Sequence, residues 1–90
     1  MSISALKSGD AVNAPFLLKK FEIKSAKNGK NYLDLTVADK TGELSGKLWD
    51  VSNLDTAAFA DASFARVLGT VETYNGSLQL RVERIAPTIP

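Results

Sequence analysis

Ninety residues, 44% hydrophobic and 23% charged with a formal net charge of +1, suit one small globular domain and are too apolar for a disordered tail. There is no cysteine and no histidine, which excludes a disulfide framework, thiolate chemistry, any Ser-His-Asp arrangement and the commonest transition-metal ligand. The near-neutral total conceals a sorting of charge: five lysines stand against the single acid Glu22 between Lys19 and Lys30, whereas Asp50, Asp55 and Asp61 have no base among them between Asp50 and Ser63.

Residues 1–10 read as a lead-in whose Ile3 and Leu6 tuck against the body, ending in a Gly9-Asp10 turn. The first 20 residues lack a signal peptide's basic start and unbroken apolar core, and no apolar run approaches the roughly 20 residues of a membrane span. The expectation is a cytoplasmic protein with no membrane partner. Residues 12–24 read as a long first strand. In it Phe16, Leu17 and Leu18 form an apolar run, after which Lys19, Phe21 and Ile23 alternate with Lys20, Glu22 and Lys24. The change of apolar parity predicts a bulge or sharp coil near 17–19, as a strand shared by two halves of a barrel needs, with Pro15 at an edge or bulge position.

Residues 25–30 form a basic loop closed by Asn28-Gly29, a strong hairpin signal because both residue types tolerate positive φ. The stretch 28–50 is the centre of the chain. Leu33, Leu35 and Val37 alternate with Tyr32, Asp34 and Thr36, so the first set faces a core and the second faces out. Asp39-Lys40-Thr41-Gly42 then reverses the chain, Asp by bonding its own backbone and Gly by supplying a positive φ. On the returning strand Leu44, Gly46 and Leu48 fall inward, while Ser45, Lys47 and Trp49 share the outer face with Tyr32.

After Asp50 the pattern turns alanine-rich. Ser52 with Asp55 three residues on has the form of a capping box, and one short helix is predicted over 52–60 with Leu54, Ala58 and Phe59 on its apolar side. From Phe64 the period returns to two. Val67, Gly69 and Val71 share a face, Gly69 marking a close crossing or bend, and Tyr74-Asn75-Gly76-Ser77 is a second Asn-Gly turn. Leu78, Leu80 and Val82 face in, leaving Gln79, Arg81 and Glu83 out; Ile85 caps an end, and Pro87 and Pro90 end any strand. The order is β-β-β-α-β-β, one domain over residues 1–90 without repeat or linker.

That order is the order of the OB-fold, a five-stranded Greek-key barrel that is all-β apart from the one short helix. The residues go further: FLLKKFEIKSAKNGKNYLDLTVADKTGELSGKLWD, followed by VLGTVETYNGSLQLRVERI, resembles the N-terminal OB domain of the YhaM-type exoribonucleases, which join such a barrel to a metal-dependent HD phosphohydrolase domain. More loosely it resembles the anticodon-binding and helicase-associated OB domains. The resemblance implies a substrate-holding module and not a nuclease centre, since the family's chemistry resides in a His-Asp metal site that a chain without histidine does not contain. It implies single-stranded nucleic acid as partner, RNA or DNA, and an HD phosphohydrolase domain in the same chain or complex. No cofactor is expected, and the dispersed aspartates after Trp49 do not form a metal site.

OB-folds commonly hold a single strand across their second and third strands, flanked by the first and last hairpin loops. Those places hold Tyr32, Thr36, Lys47 and Trp49 on the sheet, Lys24, Lys27, Asn28 and Lys30 in the first loop, and Tyr74 and Asn75 in the last. Rings of Tyr and Trp stack on bases, and lysines follow phosphates and release counterions. Each residue also has a structural reading. Trp49 can cover the barrel end or the helix, Tyr32 can form a cross-strand aromatic pair, Tyr74 can staple its hairpin, and the lysine cluster can be a solvated edge that blocks sheet-to-sheet aggregation. Asp34 repels phosphate unless it pairs with Lys47. A protein-interaction or oligomerisation module using the same surface is the alternative function, and an autonomous enzyme is disfavoured because no nucleophile–base pair or phosphate-cradling loop is present.

Overall fold

A computed structural model describes residues 2–89. Five strands, β1 (Ala11–Ser25), β2 (Asn31–Asp39), β3 (Gly42–Leu48), β4 (Phe64–Tyr74) and β5 (Ser77–Thr88), close into a barrel in the order β1-β2-β3-β5-β4. β1 serves two neighbours. Its first half, Ala11 to Leu17, pairs with β4, and its second half, Leu17 to Ser25, pairs with β2. The predicted bulge lies where the strand changes partner, as a register shift between Leu18 and Lys20 that leaves Lys19 unpaired. Pro15 lies in the half that pairs with β4 alone, so its missing N–H costs no ladder bond on the open side.

Closure depends on a short parallel bridge, Gly46 to Leu80 and Lys47 to Arg81, between β3 and β5. A Cβ on Gly46 would stand 3.2 Å from the Leu80 carbonyl oxygen, a tight contact that glycine avoids where the two strands meet. Gly69 sits at the other close approach, where the β4–β5 ladder shifts register between Leu68 and Gly69 and a Cβ would run into the Arg81 carbonyl. The interior is filled by Val12, Leu33, Leu35, Val37, Val67, Val71 and Leu80, all essentially without exposed surface. Each fully buried side chain of this kind contributes roughly 1.5–3 kcal/mol. Ile3 and Leu6 close one end as expected. The lead-in is tied down by the Ile3 N–H donating to Asp39 Oδ2 at 2.8 Å and the Gly9 N–H to the Val71 carbonyl at 2.7 Å.

Several local expectations are corrected. The connection between β3 and β4 holds only a 3-10 turn, Thr56–Phe59, in place of a helix over 52–60. Ser52 gives its hydroxyl and its N–H to Asp50 (2.7 and 3.0 Å), so it opens an Asx-type turn and is lost to a capping box. Ala58 is exposed, Leu54 half-buried, and Phe59 buried with its ring stacked on Phe21 at 4.6 Å. Gly42 does not adopt a positive φ; the Asp39 carboxylate accepts the Thr41 N–H at 2.7 Å and holds the turn without it. Of the two Asn-Gly pairs only Asn75-Gly76 has both residues at positive φ (52° and 81°), as a two-residue hairpin turn requires. In the first loop only Gly29 does (82°). Ile23 and Leu78 carry inward parity yet are 41% and 39% exposed, because each sits near a hairpin tip. β5 runs through Pro87, which pairs with Ala65; Pro90 lies outside the described residues.

Candidate nucleic-acid interface

The outer face of β1-β2-β3 is built around one carboxylate. Glu22, Asp34 and Lys47 are register neighbours across the three strands, and Lys20 and Lys24 sit on the two diagonals from Asp34. All three lysines reach it: Nζ of Lys24 at 2.8 Å and of Lys20 at 3.1 Å from Oδ2, and Nζ of Lys47 at 2.9 Å from Oδ1. Asp34 is 6% exposed, and its burial alone would push the carboxyl up; the hydrogen bonds from Lys24, Lys47 and Lys20 outweigh that and hold it well below the usual carboxylate range. The Lys24 ammonium is raised in return, chiefly by its hydrogen bond to Asp34. The acid therefore does not repel an anion from this face. It gathers three cations and leaves the cluster positive.

Beside the cluster lie two rings. Tyr32 on β2 and Trp49, which lies one residue past the end of β3 and not on the sheet itself, have their centroids 4.9 Å apart at an interplanar angle of 39°, and the Lys47 ammonium lies 5.9 Å from the Tyr32 centroid. Trp49 is 52% exposed and Tyr32 half-buried. The aromatic pair is thus formed with Trp49 largely exposed, while Phe59 of the 3-10 turn takes Phe21 as its partner. Two rings in contact make one platform and not two independent ones.

Trp49 also divides two hollows. One, of about 470 Å³, is bordered by Lys30, Asn31, Val51 and Ser52. The other, of about 830 Å³, runs along β4 and β5 past Leu68, Arg66, Arg81 and Arg84. Asp50 borders both, with its carboxylate occupied by Ser52, whose hydrogen bonds hold it below its ordinary value.

The remaining candidates fall into place unevenly. Lys24 belongs to β1 and not to the loop. Lys27 and Asn28 are exposed at the loop tip, and Asn28 Oδ1 accepts the Lys30 N–H at 3.0 Å, which is a turn role. Thr36 is half-buried on β2 between Lys20 and Ser45. Tyr74 stands 62% exposed at the tip of the β4–β5 hairpin beside Asn75, and neither borders the hollows at Trp49. Sequence reasoning missed Lys20 and the three arginines. Lys20 was legible only by carrying the bulge through to the diagonal from Asp34, and the arginines join the face through the β3–β5 bridge, which no local pattern announces.

A barrel of this strand order, with a first strand shared between two partners and a parallel closing bridge, is an OB-fold, and the chain is an OB-fold domain. Its relatives in sequence are the YhaM 3'-5' exoribonucleases. It is 39% identical over 77 residues to 3'-5' exoribonuclease YhaM of Geobacillus sp. (strain WCH70), covering 86% of this chain and 24% of that protein. It is also 39% identical over 80 residues to the Shouchella clausii YhaM, covering 89% and 25%. The chain spans about a quarter of the length of these curated relatives. No family model matches it. Among solved structures it superimposes on the second OB-fold domain of replication protein A from Methanococcus maripaludis with a TM-score of 0.67 at 21% identity, over 97% of this chain and 92% of that one. A replication protein A heterotrimer bound to ssDNA gives 0.66 at 15% identity, over 98% and 64%. The last two are likenesses of fold.

Proposed function

We propose that this OB domain binds single-stranded nucleic acid, RNA or DNA, with little sequence preference across the β2–β3 face, and that it holds substrate for an exoribonuclease whose HD phosphohydrolase domain lies elsewhere in the same chain or complex. The observation that carries the reading is the water-facing Tyr32–Trp49 pair beside a cluster in which three lysines saturate Asp34 and outnumber the two acids of the row, the second, Glu22, lying 3.9 Å from Lys24. Every base has a π face, so stacking on this platform is tolerant of sequence and is worth about 1–3 kcal/mol per base. Lys30 and Lys27 supply phosphate contacts on the loop side, and Lys47 supplies one beside Tyr32. The names of the sequence relatives and the ssDNA complex of a fold neighbour support the same direction.

Titrating a labelled oligonucleotide tests it. Binding should quench Trp49 emission and weaken with salt at a log–log slope of about −0.7 per phosphate contacted. Trp49→Ala should weaken binding roughly tenfold, the worth of one stacked base. A flat titration at low ionic strength, together with an oligomer in sedimentation, would transfer the face to a protein-interaction role.

A further inference from the structure

The chain has three arginines, Arg66, Arg81 and Arg84, and all three border the groove that begins at Trp49, while none of its lysines does. The groove is continuous with the lysine face. Arg81 is the register partner of Lys47 across the closing bridge, so the outer row Asp34, Lys47, Arg81 crosses from β2 through β3 onto β5 without a break. Arg84 follows on β5 opposite Leu68, and Arg66 lies two residues before Leu68 on β4, on the same outer face.

We infer that this groove is a second nucleic-acid-binding segment, distinct from the β2–β3 platform, which takes the phosphodiester backbone of a longer single strand as it passes Trp49 and crosses from β3 onto β5 and β4. The inference rests on the binding function proposed above. Arginine presents a planar fork that meets two phosphate oxygens at once, whereas lysine acts as a point charge. A division of labour follows: lysines around the stacked bases, arginines along the path away from them. Arg66 is pre-positioned by its Nη1–H donating to Asn13 Oδ1 at 3.2 Å. Arg81 keeps only a loose pair with Glu72 at 3.8 Å, and Arg84 has no ion pair among the described residues, so both forks are available to a ligand. Two acids border the groove, Asp50 and Glu83, against the three arginines, so the cations remain in excess. The floor at Leu68 and Ile85 is apolar and suits sugars and base edges.

Length dependence tests the inference. Homopolymers of about 4 and about 12 nucleotides are titrated against the wild-type chain and against Arg66→Ala/Arg84→Ala, since the short tract fills only the platform. The wild type should bind the longer tract at least tenfold more tightly, and the double variant should lose most of that gain while binding the short tract as before. Its salt slope on the longer tract should be shallower by about 1.4, for two lost phosphate contacts. Backbone amide shifts on the wild-type protein give a second readout that needs no variant: residues 66–68 and 84–86 should move with the longer tract only. If the short tract binds and the longer one gains nothing, or gains equally in the variant, the groove is not a strand path, and a protein partner becomes its better occupant. If the short tract itself does not bind, the platform reading fails first and takes this one with it.

Discussion

At the scale of single residues, Asp34 looks misplaced: a carboxylate in the middle of a face proposed to meet phosphates. Its surroundings resolve the difficulty, because three ammoniums saturate its two oxygens and the buried acid fixes Lys47 beside the Tyr32 ring. Asp34→Asn should lower stability at neutral pH by about 1–2 kcal/mol, a figure discounted because the lysines are partly solvated. The effect carries a pH signature. The folded-state pKa lies below the unfolded one, so the stabilisation is complete above about pH 4 and is lost as pH falls through the folded value. Denaturant titrations of wild type and variant should therefore converge in acid; a gap that stays constant between about pH 7 and about pH 2 would remove the ion cluster from the account. The Asp34–Lys47 pair was legible in the sequence because a tight turn at Lys40-Thr41 sets the β2–β3 register. The reach of Lys20 was not, since it depends on how much chain the bulge at Lys19 takes up.

At the scale of elements, two glycines of similar appearance differ in consequence. A Cβ on Gly69 would meet the backbone of β5 at the Arg81 carbonyl, which cannot swing aside, whereas one on Gly42 would make an ordinary 3.8 Å contact with the Ile3 side chain. Gly69→Ala should cost about 2–3 kcal/mol by forcing the bulge apart. Gly42→Ala should be neutral or slightly stabilising, by reducing the freedom of the unfolded chain. Thermal unfolding of the two variants side by side checks both. Equal losses would mean that neither position is decided by the space around it. Strand identity came through in the alternation of Leu33, Leu35 and Val37 and of Val67, Gly69 and Val71, because a half-buried strand imposes a period of two on its sequence. The stretch 52–60 departs from its helical pattern for a physical reason: alanines favour a helix, but Asp50 captures Ser52 and the chain gains its burial through Phe59 on Phe21, which a single 3-10 turn already provides. The first Asn-Gly pair misled similarly, for its loop uses Asn28 as a side-chain acceptor and only Gly29 for its φ.

At the scale of the whole molecule, the local signals fix five strands and their order along the chain, but closure is a non-local event. The bridge from Gly46 and Lys47 to Leu80 and Arg81 joins strands more than thirty residues apart, and it brings the lysine face up to the arginine groove. Because β1 spans both halves of the barrel and β3 meets β5 at this seam, the strand-borne part of the site shares its backbone ladder with the core. Unfolding followed by far-ultraviolet circular dichroism should accordingly be a single transition. A bound oligonucleotide should stabilise the entire domain by mass action, by about 2.7 kcal/mol at a hundredfold excess over Kd, and raised salt should erase the shift as the phosphate contacts weaken. Gly46→Val provides the decisive comparison, since its branched side chain would press on Leu80 at the seam. It should lower the transition as one unit and reduce the ligand-induced shift, most of all for the longer tract that crosses from β3 to β5. A variant that melts earlier yet gains as much from the long tract as the wild type does would show that binding ignores the seam, and that the two halves of the surface act apart.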